Sequence, residues 1–160
     1  MKLSSQEEYG LRCLVQLGRQ GEGGSLTIGE LSQLEGISAP NVAKIMRVLR
    51  RSGLVTSTRG QAGGYALAQS PEQVIVGEAL AVLGGRLFDA RFCDRHTGSV
   101  RICTHLTDCS IRPVWRQVQD VVDEVLNKLT LKQLLGREQE VEPFTPGPRA
   151  IGLPLAARPS

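Results

Sequence analysis

Two adjoining stretches decide how this chain folds: Ser38–Val55, SAPNVAKIMRVLRRSGLV, and Arg59–Ala68, RGQAGGYALA. In the first, Pro40 falls where a helix tolerates proline, and Val42, Ile45, Met46 and Leu49 recur at helical intervals. Gly53 then stops the pattern, so the spacing predicts an amphipathic helix over Ser38–Ser52. From Leu54 to Ala68 the apolar residues alternate weakly around a glycine turn at Gly60–Gly64, which reads as a two-stranded ribbon. No Asp or Glu occurs between Ile37 and Pro71, whereas Lys44, Arg47, Arg50, Arg51 and Arg59 all do. A basic, acid-free helix leading into a glycine-rich hairpin is suited to a polyanion.

Upstream, Ser4 with Glu7, or Ser5 with Glu8, has capping-box spacing, and Leu11, Leu14 and Val15 follow on one helical face. The glycines from Gly18 to Gly24 end that helix. Thr27 then caps a short helix with Ile28, Leu31 and Leu34 facing inward, closed by Gly36. Helix, turn, helix and ribbon is the order of a winged helix-turn-helix. Its second helix enters the major groove by the N-terminal end, which makes Ser38, Asn41 and Lys44 candidates for base-edge or phosphate contact. Arg47, Arg50 and Arg51 lie further along, suited to phosphates or simply to a solvated face. Arg59 at the hairpin turn suits a narrow A·T-rich minor groove, and Gly60 lets the backbone turn tightly there. Tyr65 reads as a half-buried strand residue.

Downstream, Ser70-Pro71-Glu72 is expected to start a helix running to about Leu83, ended by Gly84-Gly85. A polar loop follows, RFCDRHTGSVRICTHLTDCS, with Cys93, Cys103 and Cys109 spaced C-x9-C-x5-C. It has too little apolar content to build a core, and three thiolates suit a soft metal or an iron–sulfur cluster. His105 and His96 lie among them, and a Cys/His set would equally serve zinc. Cys13, inside the apolar pattern of the first helix, reads as a small buried hydrophobe. Ser110 is expected to cap the longest helix, whose Ile111, Trp115, Val118, Val122, Val125 and Leu129 keep near-heptad steps, widened by Val114 and Val121. That stripe favours packing on a symmetry mate, the alternative being a helix packed only on its own domain. From Arg137 onward there is no periodicity and five of the eight prolines, as in a disordered tail.

These readings give a mainly α fold: a winged helix-turn-helix over 1–85, a cysteine loop over 86–109, a C-terminal dimerisation helix over 110–136 and a tail over 137–160. A net charge of +3 is too small to imply nucleic-acid binding by itself, and the placement of the charge says more than its size. With 41% apolar but only 4% aromatic residues, the core is expected to be aliphatic. No apolar run reaches membrane-span length and MKLSSQEEYG lacks a signal-peptide segment, so a cytoplasmic protein is expected. No nucleophile–base pair, phosphate-cradling loop or metal-hydrolase motif is present, which argues against an enzyme. A metal-free adaptor would have no use for three clustered cysteines.

The order of SAPNVAKIMRVLRRSGLV, RGQAGGYALA and three late cysteines before a long helix resembles the Rrf-type family of winged-helix regulators, which includes IscR- and NsrR-like sensors. The resemblance covers roughly the first 135 residues of the chain. It implies a homodimer that binds pseudo-palindromic double-stranded operator DNA, with Arg59 as a DNA contact. It also implies a 2Fe–2S or 4Fe–4S cluster on Cys93, Cys103 and Cys109. In some members a histidine shortly after the third cysteine completes the site, but Arg112 stands there. Others take a carboxylate from the first helix of the opposite subunit, and Glu8 is at the matching place, with His105 and then His96 as competitors. For Glu8 a role at the helix N-terminus alone is the alternative. The function implied is a cluster-dependent transcriptional regulator, a repressor responding to redox state, nitric oxide or iron. The alternative is the same DNA-binding body with a zinc or thiol switch.

Overall fold

A computed structural model describes residues 3–58, 63–89, 92–97, 103, 105 and 108–141. Helix α1 spans Ser5–Arg19, α2 Ile28–Glu35 and α3 Ala39–Arg51. Strands β1 (Val55–Ser57) and β2 (Tyr65–Leu67) follow, then α4 (Val76–Gly84), α5 (Phe92–Arg95) and α6 (Arg112–Leu126). Two 3-10 turns, Leu131–Leu134 and Glu138–Glu140, come last. The mainly helical winged helix-turn-helix expected from the sequence is what forms.

Local chemistry sets the boundaries of the first two helices. The Ser4 hydroxyl accepts from the Glu7 N–H, and the Glu7 carboxylate accepts from the Ser4 N–H at 2.7 Å. Thr27 and Glu30 repeat this box on α2, and Gly36 closes α2 at φ 65°, a left-handed conformation that glycine adopts without steric cost. Each box satisfies N–H groups that a helix start leaves without a partner.

The core is aliphatic, as the composition suggested. Cys13, Leu14 and Leu17 of α1, Leu31 of α2, and Val42, Ile45, Met46 and Leu49 of α3 meet Leu54, Val55, Val74, Ala79, Leu83 and Leu131. Tyr9 and Tyr65 pack on its margin. Helix α1 is the hub, packed on α2, α3, α4 and β2. Its approach to α4 is close at Gly10, where a Cβ would lie 2.5 Å from the Leu83 methyls.

β1 pairs antiparallel with β2 in the register Val55–Leu67, Thr56–Ala66 and Ser57–Tyr65. A third segment joins them: Leu26 exchanges both backbone hydrogen bonds with Tyr65, at 2.9 and 2.8 Å. Gly64 matters here as a close approach, since a Cβ on it would meet the Leu26 carbonyl oxygen at 2.9 Å.

Several expectations are corrected. Residues 70–73 form a turn rather than the start of a helix, and α4 begins only at Val76. The reason is tertiary: Ile75 pairs with Thr130, the Val76 N–H donates to Leu129 O, and the Leu131 N–H donates to Val74 O. That pairing holds the backbone extended on both sides, so it also ends α6 at Leu126, before Leu129. α6 starts at Arg112, with no side-chain cap and Pro113 in its first turn, so Ser110 is not its cap. At 15 residues α6 equals α1 rather than exceeding it. Leu34 points outward, 55% exposed, because α3 and α1 cover only the Leu31 side of α2. Gly18 lies inside α1, buried against Leu135 and Leu131. Residues 137–141 of the expected tail carry a capped 3-10 turn, and 142–160 lie outside the described residues.

Candidate nucleic-acid interface and cysteine loop

Helix α3 buries Val42, Ile45, Met46 and Leu49 against the core. That leaves Ser38, Asn41, Lys44 and Arg47 exposed, at steps of three residues that keep them along one side of the helix. Ser38 stands at the N-cap position without spending its hydroxyl on the cap. All four sequence-predicted α3 residues therefore present unused polar groups at the surface, starting from the helix end that carries the positive pole of its dipole. Arg50 is used differently, since its Nη1 donates to Ser57 Oγ at 3.2 Å and ties the recognition helix to the wing's first strand. The wing is paired as far as Thr58 and Gly64. Arg59 and Gly60 lie outside the described residues.

A clamp that the sequence reading missed orients the helix-turn-helix. Glu35, at the end of α2, accepts Arg12 Nε at 2.5 Å on one oxygen and Gln16 Nε2 at 2.6 Å on the other. Arg12 Nη2 also donates to the Glu35 backbone carbonyl at 2.7 Å. The bond to Glu35 raises the Arg12 pKa above its ordinary value. Arg12 and Gln16 stand four apart on α1, the spacing that lets both reach one carboxylate; that spacing was the available signal, although nothing local pointed to Glu35.

All four cysteines are free thiols. Cys13 is fully buried and desolvation pushes its thiol up to about 11, the inert hydrophobe expected. Cys93 on α5, Cys103 and Cys109 are half-buried. The Glu7/Glu8 ambiguity resolves: Glu7 serves the cap, and Glu8 stands exposed in the first turn of α1, on a cleft shared with Arg12 and Glu35. His96 places Nδ1 2.7 Å from Phe92 O and stacks on the Phe92 ring, while His105 is exposed. Among the described residues, no group of three or more His, Cys, Asp or Glu side chains is gathered so as to hold a metal ion. The donor chemistry nevertheless fits an iron–sulfur cluster: three thiols unspent in disulfides, accessible, and a carboxylate not committed to the cap.

A helix pair carrying exposed basic and amide side chains, backed by a paired wing, defines a winged helix-turn-helix DNA-binding protein. Residues 3–137 match the profile of Rrf2, iron-dependent transcriptional regulators, and the chain belongs to that family. It is 32% identical over 135 residues to the protein rrf2 of Nitratidesulfovibrio vulgaris, covering 84% of this chain and 87% of that protein. Its fold is similar to CymR, the global cysteine regulator of B. subtilis, with TM-score 0.68, 28% identity, and coverage of 84% and 96% of the two chains. It is also similar to T. potens IscR, with TM-score 0.65, 29% identity, and coverage of 84% and 86%. The chain is thus a transcriptional regulator and not an enzyme. No helix among the described residues is long and apolar enough to cross a membrane.

Proposed function

We propose that this regulator is a cytoplasmic homodimer that binds operator DNA through α3 and the wing, and represses in response to an iron–sulfur cluster on Cys93, Cys103 and Cys109. The observation that carries the reading is the three free, half-buried thiols between α4 and α6, with Glu7 taking the cap and leaving Glu8 available as a further iron ligand for the cluster that the partner's three cysteines would hold. When bound, the cluster supplies a centre that reacts with oxygen, nitric oxide or a change in iron supply. The chain's own residues do the rest. Ser38, Asn41 and Lys44 address base edges and phosphates, Arg47 phosphates, and Arg59 with Gly60 the minor groove at the wing. The dimer reading is supported by α6 and its N-cap Ile111, where Ile111, Val114, Trp115, Val118 and Val121 are between 37% and 55% exposed on the protomer. A helix packed only on its own domain would cover that stripe.

A second reading is the same DNA-binding body with a thiol or zinc switch; its thiol form is favoured by the similarity to CymR and by the ungathered cysteines. One experiment separates them: visible absorption and circular dichroism of protein purified without oxygen, with iron and sulfide assayed on the same sample. A coloured protein holding both iron and sulfide supports the cluster. A colourless protein, with or without zinc, refutes it. The DNA half is tested separately: Arg59→Ala should cost about 1–3 kcal/mol at the operator and relax any A·T preference.

A further inference from the structure

After α4, Arg86, Phe88 and Phe92 meet one face of α6 in antiparallel order, at residues four apart along that helix. Arg86 Nη1 lies 3.6 Å from Asp123 Oδ2. The Phe88 backbone N–H donates to Gln119 Oε1 at 2.9 Å. The Phe92 ring sits 6.3 Å from the Trp115 ring, tilted 45°. Residues 115, 119 and 123 share one helix face, so the contacts form a single seam. Gln119 is the one buried polar side chain among the described residues, and its amide also donates to Asp123 at 2.8 Å. The strap therefore satisfies the only polar group that this face buries.

The seam ends at a cysteine. Phe92 is the first residue of α5, and Cys93 is the second. Four residues cannot hold a helix unaided, because nucleation costs more than one turn of hydrogen bonds returns. Phe92 supplies what is missing: it lies 5.0 Å from the Phe88 ring, 4.2 Å from the His96 ring and against Trp115. Arg95 adds a two-pronged pair with Asp89 at 3.0 Å. The chain has only three Phe, two Tyr and one Trp, and the buried core of the described residues holds none of them. Half of that small aromatic set, Phe88, Phe92 and Trp115, meets at Phe92, the residue directly before Cys93.

We infer that Phe92 and Trp115 are positioning residues: the strap fixes Cys93 beside the first turn of α6 and makes the placement of Cys93 and of α6 a single event. This deepens the proposed reading of the loop, but its positioning half holds with or without a metal.

The test uses the full-length, reduced, metal-free protein and follows alkylation of each cysteine by peptide mass. Phe92→Ala and Trp115→Ala should speed alkylation of Cys93 by about three- to tenfold, the range to which an aromatic pair's packing converts. Cys103 and Cys109 should change little, and Trp115→Phe should restore the slow rate at Cys93. Far-ultraviolet circular dichroism checks that each variant is folded, and Gln119→Leu, which removes the acceptor of the Phe88 N–H, gives an independent opening of the seam. Unchanged Cys93 rates in folded variants, or equal acceleration at all three thiols, overturn the inference. On anaerobically reconstituted protein, the same variants should shorten the lifetime of the visible absorption in air. If no wild-type preparation ever binds iron, the cluster reading falls, while the alkylation pattern still decides the strap.

Discussion

Glu35→Ala is the perturbation that connects packing to DNA binding most directly. The Glu35 side chain is 9% exposed and that of Arg12 41%. Removing the carboxylate deletes the bonds at 2.5 Å from Arg12 and 2.6 Å from Gln16, and leaves only the backbone bond from Arg12. Charge-assisted bonds contribute about 1.5–3 kcal/mol each when shielded. Arg12 is open enough to rehydrate once its partner is gone, which brings the expected loss down to about 2 kcal/mol in total. The double variant with Arg12→Ala should cost less than the two single changes added together, because each single change already breaks the shared contact. Urea unfolding followed by circular dichroism measures this. The functional consequence lies one residue on: α2 ends at Gly36, and the turn there aims α3. Operator affinity at fixed salt should therefore fall in Glu35→Ala even where the protein is fully folded, with Asn41 and Lys44 untouched. A stability change below about 0.5 kcal/mol, the size of an ordinary surface substitution, would refute the clamp.

Further outcomes are expected at α3, at Cys13 and at the cap of α2. Lys44→Ala should weaken binding to all sequences alike and reduce the salt dependence by about one counterion, whereas Asn41→Ala should cost about 1–3 kcal/mol and relax preference at one base position; titrations over a salt series distinguish them. Burial raises the Cys13 thiol from 9.0 in the open chain to about 11 in the fold, so its stabilisation is complete below 9, erodes as pH rises and is lost through about 11. Alkylation at pH 8 should accordingly spare Cys13 until urea unfolds the chain. Thr27→Ala should cost about 1 kcal/mol by removing the cap of α2. The Thr27 backbone N–H, with help from its hydroxyl, lowers the Glu30 pKa, so that carboxylate's support is present above its open-chain value and lost as pH falls through the lowered one. Glu30→Gln should flatten the acid limb of a stability–pH curve.

The parts legible from sequence are those whose physics is settled within a few residues. The Ser4–Glu7 box, the Thr27 cap, Gly36 and Gly53 at helix ends, the amphipathic period of α3 and the β1–β2 hairpin each follow from neighbouring chemistry, so they form where expected. The candidate α3 contacts were legible for the same reason: a helix that buries Val42, Ile45, Met46 and Leu49 must expose Asn41, Lys44 and Arg47. Misplaced boundaries arose wherever distant backbone intervened. α4 starts late and α6 ends early because residues 74–76 and 129–131 pair with each other, about 55 residues apart in the chain, and an extended ladder overrides helical spacing there. Glu35 as the keystone of α1 and α2, Leu26 as a third partner of the wing, and the strap that brings Phe92 to Trp115 were likewise invisible in the linear pattern. Each is a contact between side chains or backbone that only chain folding makes neighbours, and no local propensity encodes it.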